Sequence, residues 1–462
     1  MKQDHLARLR SGEPLSWQQQ IVLTLRLSIP SILAQLSSMI MQYIDASMVG
    51  RLGADASASI GLVTSATWLF NGLTIASTMA FTVQVAQRIG ARDEADARNL
   101  MKQGLVICFL ISALLAVIGG LVAPSVPVWL RADPAIHSRA SAYFFIIVVS
   151  LPFTMAANFG ARMLQASGNM RVPSAIMVLM CFLDVVFNAL LIFPTRTVWG
   201  ITVPGAGLGV TGAALGTMLA HVVGGALLFY ALLLRSPALH LRRGEKLRFI
   251  PEQLRRGFGI AWPVAMERAL INSAQITVMG IIAPLGNVSI AANSFAVTAE
   301  ALCYMPGFGV RDAASTLVGQ SIGARRRDMA YRLAWLSVVL GMVVQGLAAA
   351  AMYAAAPAII GIMTPDPDVV VLATRVLRIV ALIEPMFAAA IVSTGVFQGA
   401  GKTLLSGIFD FASMWGVRIP LTALLAPRYG LVGAWVAMAI ELTFRGTLFL
   451  IRLFRRRWLP AE

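Results

Sequence analysis

The sequence predicts an all-α membrane protein with twelve transmembrane helices in two parallel six-helix repeats. Composition, the spacing of apolar runs and a constant internal offset carry that prediction. The chain has 462 residues, 58% hydrophobic and only 13% charged, with a mean hydropathy of +0.77. Soluble domains carry roughly 25% charged residues, so this composition cannot build a water-facing surface. About 268 apolar residues, at roughly 20 per span, cover on the order of twelve spans. Little remains for a soluble domain.

The first 21 residues are polar to mildly basic and end in Trp17-Gln18-Gln19-Gln20. The apolar run from Ile21 is too long for a signal-peptide core and lacks a cleavage site, so it is expected to stay as the first span. Further runs follow at about 57–85, 104–130, 138–161, 173–194, 208–234, 259–284, 289–311, 331–360, 372–395, 404–426 and 430–451. Trp129, Trp199, Trp262 and Trp458 fall near run ends and read as interfacial anchors. Cys108, Cys181 and Cys303 sit inside apolar stretches, as small core residues and not as a disulfide or metal set.

Charge sets the direction. Basic residues cluster after the second run (Arg88, Arg92, Arg98, Lys102), the sixth (235–256), the eighth (Arg325-Arg326-Arg327) and at the tail (Arg455-Arg456-Arg457). The alternate connections are poor in Lys and Arg. The net charge of +16 therefore reads as membrane orientation, with both termini cytoplasmic, and not as a nucleic-acid surface.

Self-similarity divides the chain. Pro30 recurs as Pro263, Leu52-Gly53 as Leu285-Gly286, and Gln87 through Arg92 as Gln320 through Arg325. Pro152 recurs as Pro385, and Gln165 through Gly168 as Gln398 through Gly401, every pair at an offset of 233 residues. A constant register over five landmarks indicates duplication. The expected organisation is an N-terminal lobe over 1–234, a basic cytoplasmic linker over 235–256 and a C-terminal lobe over 257–462. An even number of spans per copy gives both copies one orientation, the plan of a parallel-repeat transporter.

Seven of the 21 acids fall inside predicted spans: Asp45, Asp184, Glu267, Glu300, Glu384, Asp410 and Glu441. An ionised acid at mid-bilayer costs roughly 2.5–3.5 kcal/mol on insertion scales, so such residues face a partner or a cavity. On the first helix Ser28, Ser31, Gln35, Ser38, Gln42 and Asp45 recur every three or four residues and form one polar stripe. Thr67, Asn71, Thr74 and Thr78 do the same on the second. Asp184 and Asn188 lie one turn apart on the fifth, an arrangement of oxygens suited to a proton or a hard cation such as Na⁺. Coupling-ion candidates are thus Asp45, Asp184, Asn188 and Gln42. Cavity candidates are Gln35, Ser38, Thr67, Asn71, Thr74, Glu267, Glu300 and Glu384. Asp410 and Arg418, eight residues apart, share a face, which fits a structural ion pair at least as well as a site, and Glu441 with Arg445 reads as a structural ion pair. None of these acids has an acidic counterpart in the other repeat, so the two copies are expected to differ in role.

Gly399-Ala400-Gly401-Lys402-Thr403 looks like the end of a phosphate-binding loop, but the glycine required five residues before Gly401 is Val396. The four histidines are scattered and no nucleophile elbow occurs, so the sequence reads as a transporter without cofactor and not as an enzyme.

Asp45 through Gly53, Gly207 through Ala214, Leu317 through Ala324 and Phe397 through Thr403, in that order, resemble the multidrug and toxic compound extrusion (MATE) transporters. The resemblance spans nearly the whole chain. It implies a V-shaped pair of six-helix lobes in the bacterial inner membrane. It also implies export of cationic or amphipathic compounds in exchange for H⁺ or Na⁺; the chain is expected to be a monomer in lipid. The family's first-helix acid matches Asp45. Its fifth-helix Asn-then-Asp order is reversed here, as Asp184 then Asn188. Glu267 and Glu384 are displaced from the family's acids on the seventh and tenth helices. A lipid or lipid-linked saccharide flippase is the alternative on this fold, with Arg162, Arg311 and Arg418 as its head-group candidates.

Overall fold

The apolar runs become helices because lipid leaves no partner for a backbone group outside its own helix. The computed structural model describes residues 5–130, 133–198, 201–242 and 244–459. A short α1 (His5–Ser11) precedes α2 (Trp17–Gly50), α3 (Ala54–Gly90), α4 (Glu94–Val122) and α5 (Val126–Trp129). Then come α6 (Pro134–Val149), α7 (Leu151–Ala166), α8 (Arg171–Ile192), a hairpin of β1 (Pro194–Val198) and β2 (Ile201–Ala206), and α9 (Gly209–Tyr230). The second copy comprises α10 (Pro251–Ile282), α11 (Asn287–Gly323), α12 (Arg327–Met363) and α13 (Pro367–Ala381). It ends with α14 (Glu384–Gly399), α15 (Thr403–Ser413) and α16 (Ile419–Phe454).

Among the described residues nine stretches are long and apolar enough to cross a bilayer, and the bent pairs α6–α7 and α13–α14 add two. One of the nine, Thr403–Phe454, has 52 residues and would reach about 78 Å at ~1.5 Å per residue, against a hydrocarbon core of ~30 Å. Gly430, at φ +62° and ψ −146°, breaks it, so it counts as two spans and the total is twelve.

The duplication is written in the backbone. Pro152 and Pro385 each open the helix after a bend, 43° in the first copy and 58° in the second. Proline lacks the N–H and collides with the carbonyl four residues back, so a continuous helix cannot pass through it unbent. Left-handed residues recur in pairs 233 apart: Gly53 and Gly286, Gly168 and Gly401, Arg92 and Arg325. A further pair, Gly209 and Gly430 at φ +57° and +62°, is only 221 apart. The hairpin inserted in the first copy, absent from the sequence reading, takes up the difference.

Two compact units emerge: Met1–Leu36, Ala86–Arg92 and Trp262–Glu462 in one, Ser37–Val85 and Asp93–Ala261 in the other. In the first, buried alanines (Ala292, Ala296, Ala349, Ala373) let helices approach closely around Trp435. In the second, Phe144 packs edge-on against Phe70 at 5.8 Å, among Val63, Val148 and Leu151. Leu121, Leu347 and Ile362 are outward and largely exposed, as a lipid-facing surface requires. Trp129 and Trp262 are exposed too, but Trp458 is fully buried. It packs 6.1 Å from Phe397 and donates its indole N–H to the Leu453 carbonyl, which makes it a core residue and not an anchor. Trp199 lies outside the described residues.

The basic linker is strapped to α4. Arg98, 3% exposed, places Nη2 2.7 Å from Glu245 Oε1, and Lys102 Nζ lies 3.1 Å from Glu245 Oε2. Asn99 pairs with both backbone groups of Arg248, and Gln253 bridges Asp96 and Gln103. The Arg98 guanidinium, helped by Lys102, holds the Glu245 carboxyl down to about 2. A lowered carboxylate stabilises the fold above its ordinary value near 4.3 and loses that contribution as pH falls towards the folded value. Glu245→Gln is therefore expected to cost about 1 kcal/mol at pH 7. Thermal unfolding in detergent at pH 7, 4 and 3 should show the gap to wild type narrowing. A gap independent of pH would assign the strap to packing alone.

Candidate functional site

Helix α9 packs on α8 through small residues at every fourth position. A Cβ at Gly212 would overlap the Leu191 carbonyl, one at Gly216 the Asn188 side chain, and one at Gly224 the Met180 side chain. With Ala220 they form one stripe, and the close approach it permits buries the polar face of α8. Asp184 and Asn188 are each 1% exposed.

Against that face stands Asp45 of α2. Asn188 Nδ2 donates to Asp45 Oδ1 at 2.9 Å and to Asp184 Oδ2 at 3.1 Å, so one amide spans two carboxyl groups on different helices. Asp184 Oδ1 and Asn188 Oδ1 are buried without a hydrogen-bond partner. Gln42 is exposed and has no bond to the three.

The remaining candidates are dispersed. Gln35 donates to Asp312 Oδ2 at 3.3 Å, and Ser38 is half-buried. Thr67 and Thr74 turn their hydroxyls onto the carbonyls of Thr64 and Asn71 at 2.7 Å each. Asn71 itself is half-buried. In the second copy Glu267 accepts from Ser406 at 3.5 Å, and Glu384 accepts from the Gln345 amide. Glu300 is 3% exposed with Oε1 unpartnered.

The expected Asp410–Arg418 pair does not form. Arg445 takes Asp410 at 3.3 Å and Glu441 at 3.0 Å. A π-helical turn over Met414–Arg418 widens the helix and rotates Arg418 off the face of Asp410. Asp312, a buried acid, escaped the sequence reading because α11 continues twelve residues past the apolar run that ends at 311. The stripe of Gly212, Gly216, Ala220 and Gly224 was also missed, though its four-residue spacing is visible in the sequence.

Carboxyl groups buried on facing spans of a duplicated twelve-helix bundle define a membrane transporter. Matches to the MatE family cover residues 30–190 and 263–424, one per copy, with starts displaced by the same 233 residues. The chain belongs to the MatE family, whose members are transporters and not enzymes. It is 27% identical over 443 residues to a probable multidrug resistance protein NorM of Thermotoga maritima, covering 94% of this chain and 92% of that one. A NorM protein of Xanthomonas axonopodis is 28% identical over 441 residues, covering 92% of each. Among solved structures, MATE in complex with MaL6 superposes with a TM-score of 0.89 at 19% identity, over 99% of this chain and 100% of that chain. A mutant of the Vibrio cholerae MATE transporter VcmN gives 0.87 at 19% identity, over 98% of each.

Proposed function

We propose that this protein is a proton-coupled exporter of organic cations and amphipaths in the bacterial inner membrane. Both termini face the cytoplasm, and its two halves alternate access. The NorM relatives, probable multidrug resistance proteins over more than nine-tenths of their length, support the substrate class. The bridge from Asn188 to Asp45 and Asp184 carries the choice of ion.

A sodium ion needs oxygens on several sides. Here the amide presents its N–H₂ to both carboxyl groups. A proton needs one free lone pair, which Asp184 Oδ1 offers. Protonation there turns the pair from two negative charges to one and weakens its hold on Asn188. The balance between conformations shifts by the difference in proton affinity between them. Of the three head-group candidates for the flippase reading, Arg311 is held by Asp312 at 3.3 Å and lies over Phe308.

Purified protein in vesicles should expel ethidium when a pH gradient is imposed, and not under a sodium gradient at clamped pH. Efflux driven by sodium alone would replace the proton. Efflux under neither gradient would remove the antiporter.

A further inference from the structure

The second copy holds a cavity of about 210 Å³ among α10, α11 and α16, and Arg418 lines it. Arg418 is 8% exposed. Among the described residues its one hydrogen-bond partner is the Met438 thioether, 3.1 Å from Nη2, and Nε is buried with none. Glu441, on the neighbouring helix, is taken by Arg445. A guanidinium carries five N–H donors and no acceptor, and a thioether is a weak acceptor. Glu300 and Glu441 offset the charge of Arg418 from nearby, but most of its N–H donors are left without an acceptor, which a carboxylate would supply.

The same wall repeats the mismatch. Trp435 Nε1, which can only donate, is 3.0 Å from Asn293 Oδ1 and fixes that amide's orientation. Asn293 Nδ2 then faces the Met279 sulfur at 4.0 Å. Two side chains thus aim N–H donors at sulfur, with apolar walls between them. The cavity has the volume of about seven waters at ~30 Å³ each, enough for a fused two-ring aromatic acid.

We infer that this cavity binds the carboxylate of an aromatic acid or zwitterion, with the carboxylate between Arg418 and Asn293 and the ring against Met279, Met438 and Trp435. Arginine suits the role because its planar fork meets both carboxylate oxygens at once. As a substrate site it rests on the exporter reading. Binding is measured without any gradient, so a failed transport assay and a failed binding assay are separate results.

Equilibrium dialysis of the full chain in lipid nanodiscs would use 1-naphthoate and its methyl ester as probes. The acid should bind at least tenfold more tightly than the ester. Arg418→Gln should erase that ratio, and Arg418→Lys should keep part of it, having the charge without the fork. Should Arg418→Gln fail to fold, Asn293→Ala tests the second donor and should weaken the acid and leave the ester unchanged. Equal binding of acid and ester by wild type, or a preference that survives Arg418→Gln, overturns the assignment. So does displacement of naphthoate by an equal concentration of chloride, which would mark a site for small inorganic anions.

Discussion

Replacing Asp45 with Asn should reduce pH-driven ethidium efflux to that of empty vesicles and leave the amount of folded protein unchanged. The two side chains have the same shape, and an amide oxygen at position 45 still accepts from Asn188 Nδ2, now 2.9 Å from Asp45 Oδ1. The variant loses the charge and the ability to exchange a proton. Burying an amide in place of a carboxylate carries a smaller desolvation cost, so stability should hold or rise. Exchange of labelled for unlabelled ethidium across the membrane needs no proton and should survive. Asp184→Asn should behave alike, and the double variant should be no worse than either single one, because the pair acts as a unit. Undiminished resistance in cells expressing Asp45→Asn at normal abundance would sink the ion-site assignment.

The acids were legible in the sequence because charge inside an apolar run is conspicuous, and so was the duplication that places them. Their partners were less so. Helical spacing on α2 joins Ser28, Ser31 and Gln35 to Ser38, Gln42 and Asp45. The compact units, however, divide this helix after Leu36, so Gln35 meets Asp312 and Asp45 meets Asn188. Periodicity assigns a face, not a neighbour. The threonines of α3 illustrate a second limit: a hydroxyl in a helix can satisfy itself on the carbonyl three or four residues back, and Thr67, Thr74 and Thr78 all do.

Arg418 marks a third limit. Eight residues from Asp410 keeps one face only while the helix stays α, and the π-helical turn over Met414–Arg418 has no composition that announces it. The same turn leaves Arg418 to line a cavity. In the first copy the 221-residue relation of Gly209 to Gly430 was hidden by the hairpin, since a constant offset fails at the first insertion.

Alanine at Gly90 or Gly323 should shift the conformational balance and slow efflux, for a reason the duplication supplies. A Cβ at Gly90 would overlap the main chain of Gln320, and one at Gly323 the main chain of Gln87. Each residue is the other's counterpart at an offset of 233, so the ends of α3 and α11 pack reciprocally, as across a two-fold axis. Side chains brace the contact: Gln87 donates to the Gly399 carbonyl at 3.1 Å, and Arg10 to Gln320 Oε1 at 3.1 Å. Backbones this close cannot yield as a flexible side chain would, and overpacking costs about 1–3 kcal/mol. If these ends must part and rejoin in each cycle, that cost falls on the joined state alone, and its population drops by about 5- to 150-fold. A thiol introduced by Ala324→Cys should then label faster beside Gly90→Ala than in the parent. Gly280, where a Cβ would meet nothing within 4 Å, provides the control, and Gly280→Ala should leave labelling and efflux unchanged. Because Gly90→Ala and Gly323→Ala strain one contact, their combined effect should fall short of the sum by at least about 0.5 kcal/mol. Full additivity, or labelling that neither substitution changes, would mean that the two helix ends do not meet as one gate.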